Sequence, residues 1–515
     1  MHTINHLYRR AGFGATLSEI NAAVAKTPSE LIDDLLDDKL LTGNYLPADP
    51  RYAFQWKDVV PYTGTDLYQK ARQETTYNNA AMELRRHWTV QMCQPETMLR
   101  EKLTVFWMNH FVIEARKVKY PICIYDYLSY FRQNPWGNFK KMVADVTTSP
   151  AMLIYLDGIL NAGSAPNENY ARELQELFTM GAFDKNGKSN YTQSDVEGLA
   201  HALTGWTVDT TQQSPKILPA IYNSGLHDQS KQVIYDNIER QYNLTASGDA
   251  MDKDVINHIF EQRSEQIAWF ICTKLYQYFV YADTSGAIEQ AVISEMADLL
   301  RASNWELKPV LSALLNSSHF FDEENIGALI KSPYEHIIGL LRPFEILLPE
   351  NTSDGQGELM AGSLYNYALA GSQELLDPPN VKGWPGYHTW ISATTLPFRE
   401  TYIQTALLIG GNIAAEGVDG YGQNNYPIFL LDGMVTSWGQ SFTNYAGAFD
   451  DLVHEIATYL CAHTPSAKAL AHVKSKFASN ISYEWSDQTI TTSERVGILR
   501  QLANEIMLLA DYQLS

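Results

Sequence analysis

The chain has 515 residues, of which 45% are hydrophobic and 19% are charged, a composition typical of a globular protein. No stretch reaches the roughly 18 to 20 consecutive apolar residues that a membrane-spanning helix needs, so we expect no membrane span. The formal net charge of -21 and the isoelectric point near 5.0 argue against nucleic acid as a partner, because that binding depends on clustered lysines and arginines.

Neither a disulfide framework nor a secretion signal is expected. The four cysteines are scattered and form no CxxC pair, so a zinc site built from cysteines alone is not expected either. The first residues, MHTINHLYRRAGFG, contain no apolar segment after their charges. The chain as written is therefore predicted to be cytoplasmic, and exported if a leader has been trimmed.

Helical signals dominate the first 150 residues. Thr16-Leu-Ser-Glu19 has the form of a capping box and predicts a helix that ends near Lys26. Apolar residues at three- and four-residue spacing predict further helices over about 79–92, 95–111 and 122–148, the last broken by a turn at 134–137.

The middle of the chain contains the most regular pattern, PNENYARELQELFTMG, in which Asn167 or Asn169 can cap a helix that runs to Gly181. Thr192-Gln-Ser-Asp195 is a second capping-box form and opens a helix to about residue 204. The stretch 207–250 is irregular, with a short hairpin predicted at 221–235.

Helical periodicity returns in the second half of the chain, over 252–281, 286–302, 305–316 and 332–347. Loops are predicted at 350–357, at the Gly/Asn-rich patch 410–427 and at 377–390, where DPPNVKGWPGYHTW is too rich in Pro and Gly for a regular helix.

These elements predict a mainly α fold, a large multi-helix orthogonal bundle with irregular Pro/Gly/Trp-rich loops and at most a small β-hairpin. We expect residues 1–400 to form the helical core of the fold. Residues 401–515 are expected to form a C-terminal helical region packed on the same body.

Seven motifs follow one another along the chain: HLYRRAGFGAT at 6–16, FWMNHF at 106–111, PAMLIYLDG at 150–158, NENYARELQELFTMG at 167–181, DVEGLAHALTGW at 195–206, the His227-Asp228 pair and PPNVKGWPG at 378–386. In these motifs the chain resembles the bacterial family known as domain of unknown function 1800, over nearly its whole length. The resemblance implies a helical bacterial protein, frequently encoded beside a second family, domain of unknown function 1501, which resembles sulfatases. A sulfatase-like protein of that second family is an expected partner, and no activity is implied.

The NENYARELQELFTMG helix carries the first candidate site residues. At 100° per residue its apolar side chains gather on one face, while Glu168, Arg172 and Glu176 follow at four-residue steps on the other. One interpretation is an exposed Glu–Arg–Glu ladder of structural value only. In the alternative, this face lines a cleft in which Glu173 acts as a general base or metal ligand, since desolvation raises the pKa of a carboxylate.

Histidines supply the second group of candidates. His110, beside Asn109 at the end of an apolar helix, is either a core residue bonded to the backbone or a functional one. His227 and Asp228 lie in a predicted loop, where they could act as a base or bind a metal. His201 lies nearly opposite the apolar face of its helix, and the family more often has arginine there, so it is expected to be a surface or groove residue.

The irregular segment around Lys382 and Trp384 has two interpretations. It could cap a pocket, with the Trp384 ring stacked on a ligand and Lys382 meeting an anion, or it could be a packed structural loop.

The sequence alone does not define an activity, and it leaves three hypotheses for the function. In the first the protein is an enzyme with a polar cleft, whose catalytic residues are Glu173, Arg172, His110, His227 and Asp228. Ligand-binding positions in that cleft are Asn109, Asn167, Glu168, Glu176, Lys382 and Trp384. A divalent metal is an optional cofactor, with His110, Glu173 and His227 as its best candidate ligands. The other hypotheses are an accessory partner of the sulfatase-like protein and a carbohydrate-binding surface protein.

Overall fold

The fold is given by a computed structural model, which describes residues 2–37, 39, 67–209, 218–236, 238–242, 251–346, 348, 356–409, 432–478, 481, 485 and 490–515. Over these residues the protein is mainly α-helical, as the sequence predicts. The predicted loop at 410–427 and residues 350–355 of the loop at 350–357 lie outside the described residues.

The first half of the chain contains a series of short helices around one long one, in the order α1 (His2–Arg10), α2 (Leu17–Ala23), α3 (Pro28–Leu35), α4 (Leu67–Met92), α5 (Met98–His110), α6 (Ala115–Val118), α7 (Pro121–Gln133), α8 (Phe139–Thr147), α9 (Pro150–Tyr155), α10 (Glu168–Glu173) and α11 (Gln193–Ala202). A π-helical turn, Leu174–Thr179, continues α10 directly.

The second half is also helical and follows in the order α12 (Met251–Gln262), α13 (Ser264–Phe279), α14 (Ala287–Ala302), α15 (Leu307–Asn316), α16 (Pro333–Leu341), α17 (Gln356–Ala370), α18 (Thr395–Gln404), α19 (Asp432–Gln440), α20 (Phe449–Leu460), α21 (Ala467–Lys474) and α22 (Thr492–Met507). None of the helices in the described ranges has the length and apolar character needed to cross a membrane.

The two capping boxes predicted from sequence are confirmed. Thr16 accepts a hydrogen bond from the Glu19 main-chain N–H at 3.1 Å, and the Glu19 carboxylate accepts from the Thr16 N–H at 2.7 Å. Thr192 and Asp195 make the same reciprocal pair at the start of α11. Such caps satisfy N–H groups that the first helical turn leaves unpaired, which is why these helices begin where they do.

The sheet of the described residues has two antiparallel strands, β1 (Trp206–Val208) and β2 (Ala220–Tyr222), with Trp206 opposite Tyr222. A small two-stranded sheet was predicted, but its position at 221–235 was wrong, because the partner strand lies upstream of β2. Gly205, with a φ of 100°, turns the chain from the end of α11 into β1. Such a φ is costly for any residue with a side chain.

A buried charge network joins α4, α5 and α7. Glu101 on α5 has no exposed surface and accepts hydrogen bonds from the Arg132 guanidinium on α7 at 2.8 to 3.0 Å. It also accepts from the neighbouring Arg100 at 2.9 Å and from the Trp88 indole on α4 at 3.0 Å. One carboxylate thus fixes the relative positions of three helices.

The N-terminal helix packs against the C-terminal part of the chain. The Asn5 amide donates to the Tyr459 carbonyl at 3.0 Å, and the Arg9 guanidinium donates to the Tyr459 and Leu460 carbonyls at 2.8 Å. Buried hydrophobic side chains from Leu7 to Tyr512 belong to one core cluster. The division of the chain into a helical core over 1–400 and a C-terminal region over 401–515 stays a prediction.

All four cysteines are free and buried, as expected of small hydrophobic residues. Burial raises the pKa of the Cys93 thiol to about 12, which keeps it protonated at neutral pH.

Candidate functional site

Asn109, at the end of α5, holds the loop that contains Lys382 and Trp384. The Asn109 Oδ1 accepts from the Trp384 main-chain N–H at 2.6 Å, and the Nδ2 donates to the Trp384 carbonyl at 3.1 Å. Gly383 has a φ of 79°, and a Cβ there would lie 2.6 Å from the Asn109 carbonyl oxygen. Only glycine therefore fits between these two motifs, FWMNHF and PPNVKGWPG.

The anchored loop brings Lys382 to the NENYARELQELFTMG segment. The Lys382 ammonium lies 3.7 Å from Glu176 Oε1, and the other Glu176 oxygen accepts from the Tyr191 hydroxyl at 3.0 Å. The Lys382 side chain is 69% exposed, so its ammonium is accessible to a ligand. Glu176 lies between a phenol and an ammonium.

The π turn after Glu173 changes the arrangement expected for this segment. Arg172 donates to Glu168 at 2.8 Å, as in the predicted ladder, but Glu176 contacts Tyr191 and Lys382 instead of Arg172. A π turn alters the angular spacing of the residues within it, so a uniform 100° projection fails beyond Glu173. Such turns occur frequently at functional sites.

Glu173 is half-buried at the junction of α10 and the π turn. Its side chain forms no hydrogen bond or ion pair with any described residue, in contrast to Glu168 and Glu176. Burial raises the pKa of Glu173, the Glu176 carboxylate raises it further, and Lys382 and Arg172 only partly oppose this. The carboxyl group thus holds its proton at higher pH than an exposed glutamate does.

A second polar layer lies beside Glu173. The Tyr155 hydroxyl donates to Glu114 Oε1 at 2.9 Å, and burial, followed by the charges of Glu114, Glu173 and Asp377, raises the pKa of Tyr155. Asp377 is held by the Arg85 guanidinium and by the Arg116 main-chain N–H. These contacts connect the PAMLIYLDG motif and the start of the 377–390 segment to the region around Glu173.

His110 and His227 are both held by internal contacts. His110 is buried, with Nε2 2.9 Å from the Phe178 carbonyl and Nδ1 3.2 Å from the Lys274 ammonium. Burial and the Lys274 charge hold the pKa of His110 well below its ordinary value. The His227 Nδ1 and Nε2 each lie 2.9 Å from a main-chain carbonyl oxygen. In both histidines, both ring nitrogens therefore contact other groups of the protein.

The structure does not place His110, Glu173 and His227, the candidate metal ligands, in any group of described side chains that could hold a metal ion. Across the described ranges, no group of three or more His, Cys, Asp or Glu side chains is placed to hold a metal ion. The reason lies in the internal contacts of the two histidines, because a ring nitrogen that bonds to the protein is not available to a metal.

Asp228 pairs with His201 and not with its sequence neighbour His227. The His201 Nδ1 bonds to Asp228 Oδ2, and the other Asp228 oxygen accepts from the Ser230 N–H at 2.8 Å. Burial alone would raise the pKa of Asp228, but the bonds from Ser230 and His201 outweigh it and lower the pKa. His201 is partly exposed, as predicted, but its partner was not foreseen, because a helix projection says nothing about a returning loop.

The predicted site residues therefore separate into groups. Glu168, Arg172, Glu173, Glu176, Asn109 and Lys382 lie around α10 and the anchored loop. Trp384 is only 7% exposed and packs in the core, and Asn167 caps α10 by accepting from the Asn169 N–H at 2.9 Å. Among the described residues, no hydrogen bond or ion pair joins Glu173 to His110, His227 or Asp228.

These observations define a mainly α-helical protein with a polar surface between a π turn and a glycine-containing loop. The family model described as "Protein of unknown function (DUF1800)" matches residues 6–514, so the chain belongs to this family. Neither the curated proteins nor the solved structures compared with the chain contain a match.

Proposed function

We propose that the protein is an enzyme that carries out acid–base chemistry on a hydroxyl-bearing substrate, with Glu173 transferring the proton. The observation that supports this is the state of Glu173, a half-buried carboxyl with a raised pKa and no hydrogen-bond partner among the described residues. A general acid or base works best when its pKa lies near the working pH and its proton is not held by the protein.

The neighbours of Glu173 suit a polar, largely uncharged substrate. Glu176, Lys382, Arg172 and Tyr191 provide carboxylate, ammonium, guanidinium and phenol groups in one region. Their mixed charges supply donors and acceptors for hydroxyl groups without a strong net field for an anion. We assign substrate binding to Lys382 and Arg172, and proton transfer to Glu173. A carbohydrate is the substrate class that fits these groups.

The test compares wild-type protein with Glu173→Gln in a screen of chromogenic glycosides and carboxylic esters. We expect the variant to lose about 100-fold or more of any activity found, the usual contribution of a general acid or base. Glu295→Gln, an exposed glutamate on α14, is the matched control and should keep full activity. Equal activity of wild type and Glu173→Gln would overturn the proposal.

Glu173→Gln should also stabilise the protein at pH 7. Because the folded-state pKa of Glu173 is raised, the ionised form is less favourable in the folded chain than in the unfolded chain. This penalty is present above the folded pKa and disappears as the pH falls below the unfolded one. We expect the melting temperature of the variant to exceed that of the wild type at pH 7, and by less near pH 4. Scanning calorimetry at both pH values checks this, and a lower melting temperature at pH 7 contradicts it.

A second candidate function is docking of a partner protein such as the sulfatase-like one. Five exposed large hydrophobic side chains lie in the segments around the His201–Asp228 pair, namely Leu160, Ile221, Leu226, Val233 and Ile238. The Gly163 N–H donates to the Leu226 carbonyl at 2.7 Å, which joins two of these segments. Copurification of the two proteins that is lost in Leu160→Ser/Leu226→Ser would support this candidate.

A further inference from the structure

Lys274, on α13, is a desolvated lysine that the proposed acid–base chemistry does not use. Burial lowers its pKa to about 8, yet the residue is only partly covered and retains some exposed surface. No ion pair joins its ammonium to a carboxylate of the described residues. By contrast, Lys102 pairs with Glu335, and Lys331 is 3% exposed. Lys274 thus combines desolvation with access from solvent.

Two neutral groups accept hydrogen bonds from the Lys274 ammonium. The His110 Nδ1 lies 3.2 Å from the Lys274 Nζ, and the Leu177 carbonyl oxygen, in the π turn, lies 3.4 Å from it. On the other side of the imidazole, the His110 Nε2 lies 2.9 Å from the Phe178 carbonyl oxygen. Because a carbonyl oxygen only accepts, Nε2 carries the ring proton and Nδ1 presents its lone pair to Lys274.

This arrangement leaves one N–H position of Lys274 without an acceptor. An ammonium group has three N–H bonds, and His110 and Leu177 account for two of them. No other residue of the described ranges accepts a hydrogen bond from the Nζ. When the ammonium loses a proton, the two hydrogen bonds remain and the nitrogen lone pair takes the third position. The protein therefore holds a neutral amine in one orientation, with its lone pair unpaired.

An amine in this state is a nucleophile. Burial in apolar surroundings is one of the ways in which proteins activate a lysine, and the Phe270 ring lies 4.7 Å from the Lys274 Nζ. A lysine of ordinary pKa is neutral in fewer than about 1 in 1,000 molecules at pH 7, whereas a pKa of about 8 leaves about 1 in 10 neutral. Carbonyl compounds are the electrophiles with which activated lysines condense.

We propose that Lys274 is a nucleophilic lysine that condenses with small aldehydes and ketones to form an imine. The Nζ lone pair attacks the carbonyl carbon, which gives a carbinolamine. The two amine protons then leave with the carbonyl oxygen as one water molecule, and a C–N double bond remains. The step needs no oxidant or reductant, and it does not depend on the acid–base function proposed for Glu173.

The test is reductive labelling of the intact protein with glyceraldehyde and sodium cyanoborohydride at pH 7. Cyanoborohydride converts an imine into a stable secondary amine, and mass spectrometry of the peptides then gives a labelling rate for each lysine. We expect Lys274 to be labelled at least about 10-fold faster than Lys188 and Lys468, which are exposed. Labelling of Lys274 at or below the rate of these two lysines would overturn the proposal.

The pH dependence of labelling and one variant complete the experiment. Between about pH 6 and pH 9 the rate at Lys274 should rise and level off near pH 8, whereas the rate at exposed lysines keeps rising. Parallel pH profiles for Lys274 and the exposed lysines would contradict an activated amine. Lys274→Arg retains the positive charge and cannot form an imine, so its other lysines should be labelled at wild-type rates. Rates that change at the other lysines in this variant would assign Lys274 a structural role instead.

Discussion

Replacement of Glu101 by Gln is expected to lower the free energy of unfolding by about 3–5 kcal/mol, the usual effect of breaking a buried ion pair by removing one partner. Glu101 has no exposed surface, and Arg132, Arg100 and Trp88 all donate to its two oxygens. An amide has one oxygen and no charge, so both buried guanidinium groups would lose their carboxylate. The energy arises from the burial of two guanidinium charges without this carboxylate more than from the lost attraction.

The effect of Glu101→Gln should depend on pH. Burial alone would raise the pKa of Glu101, but Arg132 and Arg100 outweigh it and hold the folded-state pKa below the ordinary value. The stabilisation is therefore present above the unfolded-state pKa and is lost as the pH falls through the folded-state pKa. We expect wild type and Glu101→Gln to differ most at neutral pH and to converge in acid.

Urea unfolding followed by circular dichroism measures this difference without adding salt. Glu96→Gln is the matched control, because Glu96 is an exposed glutamate in the short turn before α5. It should leave the unfolding midpoint unchanged. A Glu101→Gln midpoint equal to that of Glu96→Gln at pH 7 would mean that the three helices are held together by packing alone.

Local sequence signals predicted the helices well. Thr16 and Thr192 each occur three residues before an acidic residue that completes a capping box, and both boxes form. The helix around Asn167 was also foreseen, but its π-helical continuation was not. Hydrophobic periodicity averages over several turns, so one turn of different pitch leaves no clear signal in it.

Contacts between residues that are far apart in the sequence account for the structural features that could not be predicted from it. Asn109 and Trp384 are 275 residues apart, and the His201–Asp228 pair depends on a loop that returns after β2. Neither follows from composition or spacing. Sequence reasoning placed His201 on the correct surface of its helix, yet only the fold shows which carboxylate it meets.

The buried arginines illustrate the same limit. Arg10, Arg132 and Arg399 have almost no exposed surface, although arginine is rarely buried unless it is paired. Arg132 has a carboxylate partner in Glu101, whereas Arg10 and Arg399 bond to neutral oxygens. Which arginine has a counter-ion depends on tertiary packing and is not encoded in a local motif.

Gly383→Ala is expected to destabilise the protein by about 2–6 kcal/mol, the sum of two effects. A residue with a side chain at a φ of 79° carries a strain of about 1–3 kcal/mol. The added Cβ would also collide with Asn109, and relief of such overpacking typically costs another 1–3 kcal/mol. The loop would have to move, which breaks the two hydrogen bonds between Asn109 and Trp384.

Gly386→Ala separates these two effects. Gly386 has a similar φ of 74°, but the nearest atom to an added Cβ is the Trp390 indole nitrogen at 3.9 Å, so this variant adds strain without a collision. We expect urea unfolding to show a loss of about 1–3 kcal/mol for Gly386→Ala, clearly smaller than that for Gly383→Ala. Equal losses of stability would mean that Asn109 moves away from the added methyl group without an energetic cost.

The same pair of variants tests whether the Asn109 anchor serves the proposed chemistry. Lys382 is exposed, so Lys382→Met should leave stability unchanged and lower activity if its ammonium binds substrate. Gly383→Ala moves Lys382 away from Glu176 and should lower activity to the level of Lys382→Met, whereas Gly386→Ala should retain most of it. If activity instead falls in proportion to the loss of stability across Lys382→Met, Gly383→Ala and Gly386→Ala, the loop has a structural role only.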